Sequence, residues 1–146
     1  MIIETKYHGQ VEVNEEAIWT FEQGIPGFAD EKSFTLLSFP DNDLFFVLQS
    51  TKTPALGFII ASPFAFFPDY DIVLDAGTVE ALELDQAEEA AIYTILTIRE
   101  PFSESTANLQ APIVVNAKNK RAKQAILNDN RYQTRHTIMP AGAVKE

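Results

Sequence analysis

The chain contains no cysteine. That removes disulfide frames and thiolate catalysis, and it suits a reducing compartment. Histidine is almost absent too, with only His8 and His136. Neither has a His, Asp or Glu partner at a metal-binding spacing, and zinc sites usually need three or four N or S ligands. No Ser sits in a Gly-x-Ser-x-Gly elbow, and the six glycines form neither a Gly-x-Gly-x-x-Gly fingerprint nor a Walker loop. No apolar run approaches the roughly 20 residues of a membrane-spanning helix. The longest, Ala55 to Ala61 and then Phe64 to Phe67, is broken by Ser62 and Pro63. Glu4 in the opening Met1-Ile2-Ile3-Glu4 is an acid where a signal peptide has a cationic start. These features together predict a cytoplasmic protein with no cofactor and no metal.

Positive charge is scarce in the first hundred residues. There, 18 acids stand against Lys6, Lys32, Lys52 and Arg99, a net of −14. The remaining residues carry seven bases against three acids, a net of +4. The overall −10 disfavours binding to nucleic acid or to an anionic membrane by the chain as a whole. Four cations fall within Lys118 to Lys123, which reads as a solvated hairpin tip or helix face. A dipolar surface on a catalytically bare chain points to docking.

What is abundant is apolar and aromatic. Hydrophobic residues make up 46% of the chain, enough for one core in a single domain of this length. Strand-like runs cover Met1 to Tyr7, Val11 to Val13, Ile18 to Phe21, Phe34 to Phe39, Leu44 to Gln49, Ile72 to Leu74, Ala91 to Ile98 and Pro112 to Asn116, and Leu56 to Ala61 is nearly continuous in apolarity, as a strand buried on both faces would be. Turn signals between them include His8-Gly9-Gln10, Gly24-Ile25-Pro26-Gly27-Phe28 and Pro40-Asp41-Asn42-Asp43. Many short strands with turns between them predict an all-β barrel or sandwich. One short helix is expected over residues 78–85, with Thr78 as its cap. Lys118 to Asn128 fits either a helix or a hairpin. Residues from Pro140 onward are expected to form a flexible tail.

Eleven Phe, four Tyr and one Trp supply the bulk. Neighbours in a strand point to opposite faces. One of Phe45 and Phe46 must therefore leave the core, unless both faces are covered. Phe66-Phe67-Pro68-Asp69-Tyr70-Asp71 sets aromatics beside acids, as an apolar docking patch with a charged rim would. The carboxylates Asp69, Asp71 and Asp75 allow an alternative, a small-ligand or metal-binding barrel, possibly an enzyme. They match a calcium loop poorly, because its sixth position is Leu74 and not Gly.

Four segments together resemble a known family. They are Phe21-Glu22-Gln23-Gly24-Ile25-Pro26-Gly27-Phe28, Phe45-Phe46-Val47-Leu48-Gln49-Ser50, Ser62-Pro63-Phe64-Ala65-Phe66-Phe67-Pro68-Asp69-Tyr70, and Ser105-Thr106-Ala107-Asn108-Leu109-Gln110-Ala111-Pro112-Ile113-Val114-Val115-Asn116 with Tyr132 and Arg135-His136. In this order the chain resembles the bacterial flagellar assembly factor FliW family over residues 1–139. The resemblance implies a small antiparallel β-barrel-like fold and no enzymatic activity. It implies two partners, flagellin and the carbon storage regulator CsrA, an RNA-binding translational repressor. It also turns Asn116 to Arg121 into a hairpin turn and Lys123 to Leu127 into a strand. The expected docking residues are Ile25, Pro26 and Phe28 of the glycine loop, Phe66 and Tyr70 as aromatic anchors, and Asp41, Asp43, Asp69 and Asp71 as acids facing RNA on the repressor.

Overall fold

A computed structural model describes residues 1–39, 42–86 and 89–138; the side chains of residues 42 and 43 are not described. The expected tail, Asp41 and the side chain of Asp43 lie outside what is described. Among the described residues the chain is all-β with one short α-helix and a few single 3-10 turns. A small hairpin pairs β1 (Ile2–Glu4) with β2 (Gln10–Glu12). The main sheet contains β3 (Trp19–Thr20), β4 (Ser33–Phe39), β5 (Asn42–Ser50), β6 (Gly57–Ala61), β7 (Ala90–Thr97), β8 (Thr106–Ala107), β9 (Ile113–Asn116), β10 (Ala122–Gln124) and β11 (His136–Thr137). Its path runs β10-β9-β7-β6-β5-β4-β3, with β8 and β11 branching from β7. Every ladder is antiparallel.

The sheet curls but does not close. Its edge strands β3 and β10 meet at one parallel bridge, Thr20 to Arg121. There the Thr20 amide donates to the Lys120 carbonyl at 2.9 Å. The sheet curls around a cluster that includes Trp19, Phe21, Phe34, Leu48, Ile60 and Ile113. Phe21 and Phe34 are fully buried and meet edge to face at 5.3 Å. Each contributes roughly 1.5–3 kcal/mol of burial. The outer face is covered as well. Tyr70, Leu96, Leu109, Tyr132 and Ile138 pack there, and Leu82, Leu84, Val114 and Ala125 form a third cluster under the helix. This double cover resolves the Phe45-Phe46 step. Phe46 packs with the inner cluster, whereas Phe45 packs with the outer one.

Three expectations about elements are corrected. The helix α1 spans Ala76–Ala81 and not 78–85. Its cap is Asp75, whose carboxylate accepts from the Thr78 amide at 3.3 Å and the Thr78 hydroxyl at 2.6 Å. Thr78 is buried instead of capping. The helix stops because Glu83 takes a left-handed φ of 57° and the Leu84 amide donates back to Val79 O. Residues 72–74 join no strand. Ile72 and Leu74 turn inward, and Val73 is 85% exposed. The last hairpin forms, yet its ladder ends at Gln124, short of Leu127. Ala125 donates to Pro112 O at 2.9 Å, and Pro112 has no N–H to return the bond.

The Ile25–Phe28 turn has Pro26 at its second position and Gly27, φ 87°, at its third, as a type II turn requires. Gly24 before it has φ 70°, and a Cβ there would lie 2.5 Å from Ala29 O. Gly9 also has positive φ but open space around it. Gly24→Ala should therefore lower stability by about 2–4 kcal/mol, combining left-handed strain with overpacking. Gly9→Ala should cost about 1 kcal/mol. Urea denaturation of the two variants checks the difference.

Candidate docking surfaces

The expected docking residues fall into two places. Ile25, Pro26 and Phe28 sit on the turn beside the β3–β10 seam. Ile25 is buried in the inner cluster, so it holds the turn and cannot act as an exposed anchor. Pro26 is exposed at the tip. Phe28 is 41% exposed and leans edge to face on Phe58 at 5.7 Å. Phe66, Asp69, Tyr70 and Asp71 lie on the segment that covers the outer face of the sheet.

Tyr70 is a core residue and not an anchor. Its hydroxyl donates to Leu109 O at 2.6 Å, and its ring meets Tyr132 edge to face at 4.7 Å. Burial pushes that hydroxyl well above the ordinary tyrosine value. The amide of Asp71 in turn donates to the Tyr132 hydroxyl at 2.9 Å. Phe66 is half-buried and stacks on Phe45 at 6.0 Å; Phe45 meets Phe102 edge to face at 6.0 Å. A cleft of about 260 Å³ opens beside this aromatic row, lined by Phe39, Phe45, Ile59, Ile98 and Phe102. Ile98 and Phe102 are 47% and 40% exposed. Neither was singled out from sequence. The signal lies in Ile98, the apolar residue just past the end of β7, and in Phe102 beside a proline.

The Asp69, Asp71 and Asp75 carboxylates do not act together. Asp75 caps α1, and the Thr78 hydroxyl holds its carboxyl below the usual range. Asp69 and Asp71 are exposed. Among the described residues no group of three His, Cys, Asp or Glu is placed to hold a metal. No described helix is long and apolar enough to cross a membrane.

Folding bridges part of the charge split along the sequence. Lys118 pairs with Glu89 at 2.8 Å, and Arg121 pairs with Glu22 and, at 3.7 Å, with Glu83. Arg131 pairs with its neighbour Asp129 at 2.7 Å. The basic end thus neutralises acids drawn largely from the first hundred residues. Exposed acids such as Glu15, Glu16, Asp69 and Glu104 keep no cation partner among the described residues.

Comparison with known proteins decides the family. Residues 2–138 match the family model for the FliW protein. The chain belongs to the FliW family. It is 50% identical over 145 residues to the flagellar assembly factor FliW of Geobacillus kaustophilus (strain HTA426), covering 99% of this chain and 100% of that protein. It is 51% identical over 138 residues to the factor of Bacillus subtilis (strain 168), covering 94% and 96%. A crystal structure of the flagellar assembly factor FliW superposes with a TM-score of 0.93 at 48% identity, over 97% of this chain and 99% of that one. This FliW family member therefore has a role in flagellar assembly and is not an enzyme.

Two solution predictions follow from the site. Tyr70→Phe leaves the buried Leu109 carbonyl unpaired and should lower stability by about 1–2 kcal/mol in urea denaturation. Second, hydroxyls of Ser50 and Thr53 hold the Glu31 carboxyl below its usual range, as Thr78 does for Asp75. A lowered folded pKa stabilises above the ordinary carboxylate value near 4 and is lost as pH falls through the folded value. Thermal melting should drop below about pH 4. Glu31→Gln should make that drop shallower, and an unchanged pH profile would exclude the role.

Proposed function

We propose that this FliW family protein works in the cytoplasm by binding, first to a CsrA-type RNA-binding translational regulator, which it antagonises, and also to flagellin. Occupancy by flagellin would release the regulator and so match flagellin synthesis to assembly. The observation that carries this reading is the uncompensated acidic surface. Three of the seven cations after residue 100, Lys118, Arg121 and Arg131, are held in ion pairs with acids of this chain, and the acids outnumber all the cations by ten.

An acidic surface can oppose RNA without covering the RNA site. Two unit charges ~10 Å apart in water repel by about 0.4 kcal/mol before screening. The Debye length is about 8 Å at physiological salt, so only acids held near the RNA path count. Several together contribute on the order of 1 kcal/mol, a several-fold loss of RNA affinity. Binding energy itself needs an apolar anchor, since hot spots are usually a few buried aromatics. The row Phe66, Phe45 and Phe102 with its cleft supports that role.

Reversing Asp41, Asp43, Asp69 and Asp71 to Lys should weaken antagonism of RNA binding several-fold at about 0.15 M salt, and less at higher salt. A gel-shift competition with the regulator and its RNA measures this. Inhibition that stays intact and insensitive to salt contradicts the electrostatic mechanism. Phe102→Ser should weaken regulator capture at least tenfold, about 1.4 kcal/mol, while the melting temperature stays nearly unchanged. A large fall in melting temperature would instead place Phe102 in the core.

A further inference from the structure

Burial alternates along residues 71–75. Asp71, Val73 and Asp75 are exposed, whereas Ile72 and Leu74 are half-buried. That is the period of a strand. Yet no described residue hydrogen-bonds to the backbone of Ile72, Val73 or Leu74. Three consecutive residues thus keep free N–H and C=O groups at the surface, and an open run of this kind is a template for another chain. Beside it lies an apolar cleft of about 410 Å³, whose walls include Ile72, Leu74, Val79, Leu84 and Ile92. A neighbouring cleft shares Val79, Leu84 and Asp85 with it and adds Glu80 and Glu83. Among the described residues neither cleft is lined by Lys, Arg or His. Glu83 has Arg121 at 3.7 Å, a cation that sits closer to Glu22, and Glu80 and Asp85 form no ion pair among the described residues. The groove therefore has an apolar floor, an acidic rim and an open backbone along one side.

We propose that this groove takes a segment of a partner protein in which apolar residues alternate with Lys or Arg. The segment's backbone would pair with residues 72–74, and its apolar side chains would enter the cleft between Leu74, Val79 and Leu84. Its cations would meet Glu80, Glu83 and Asp85 at the rim. Charge complementarity sets the choice of partner, because an acidic segment laid here meets three carboxylates and no lining cation. Val73, 85% exposed between the two inward residues, is covered when the segment is in place. The groove shares no residue with the aromatic row of Phe66, Phe45 and Phe102, and it stands whether or not the regulator or flagellin is the partner.

The test titrates the full isotope-labelled chain with the acetylated, amidated peptide Lys-Ile-Lys-Val-Lys, read by amide chemical shifts. Shifts should centre on residues 72–74, 79–80 and 84–86 and weaken as salt rises. Lys-Ser-Lys-Ser-Lys carries the same charge without the apolar side chains and should bind at least about tenfold more weakly. Glu80 and Asp85 are exposed, so the double variant Glu80→Lys with Asp85→Lys should stay folded and lose about tenfold in affinity for the first peptide. No shifts at millimolar peptide, or shifts spread over the whole acidic surface, would overturn the proposal. So would equal binding of the serine peptide or unchanged affinity in the double variant. The same shifts on concentrating the chain alone would assign the groove to pairing between copies, and that too would overturn it.

Discussion

One buried amide fixes the relation between the helix and the last hairpin. Asn116 is 2% exposed, and its Nδ2 donates to Leu82 O at 2.8 Å and Glu83 O at 3.3 Å. Its Oδ1 accepts from Lys118 N at 2.8 Å, and its own backbone closes the hairpin through Arg121 O and Lys120 N. The same side chain therefore ends α1, shapes the turn and sets where Arg121 meets Thr20. Leaving such a buried group unpaired costs about 1–3 kcal/mol. Losing it would loosen the seam where β10 meets β3. A second buried amide, Gln49, does comparable work at the other margin. It accepts from Lys6 N at 3.0 Å and donates to the carbonyls of Ser50 and Leu56, tying the first hairpin to the 51–56 loop.

Within that frame the sheet is covered on both faces by aromatics and aliphatics. Little polar surface remains inside to perform chemistry. The carboxylates that could have formed a catalytic or metal cluster are spread over separate tasks, with Asp75 as a cap, Glu31 as a loop clamp and Glu22 as a partner of Arg121. What reaches the surface is an acidic exterior, an aromatic row around Phe45 and an unpaired run at residues 72–74. Those are features of docking, in keeping with a flagellar assembly factor.

Much of the fold was legible where local chemistry is decisive. Pro26 and Gly27 declared a type II turn, and Phe34 to Phe39 and Leu44 to Gln49 declared two strands. The errors share a cause, since each depended on a contact distant in sequence. Thr78 looks like a cap until Asp75 takes the role and accepts from both its amide and its hydroxyl. Ile72 to Leu74 alternates like a strand, but it joins no ladder, and Ile72 and Leu74 pack on the outer and third clusters instead. The last strand stops early because the facing residue is Pro112, which only the register reveals.

The site was less legible for the same reason. Tyr70 and Asp71 look like an exposed aromatic beside an acid, yet the Leu109 carbonyl draws Tyr70 inward. The charge split looks like a dipole until Lys118 and Arg121 fold onto Glu89, Glu22 and Glu83. The central claim is that this curled sheet is held shut at one point, where Thr20 meets Arg121. Amide hydrogen exchange tests that directly. Thr20, bonded to Lys120 O, should be protected to the same order as Lys123 in the β9 ladder, although Thr20 lies at the surface on a strand of two residues. Exchange of Thr20 at the rate of an unbonded loop amide would contradict the account.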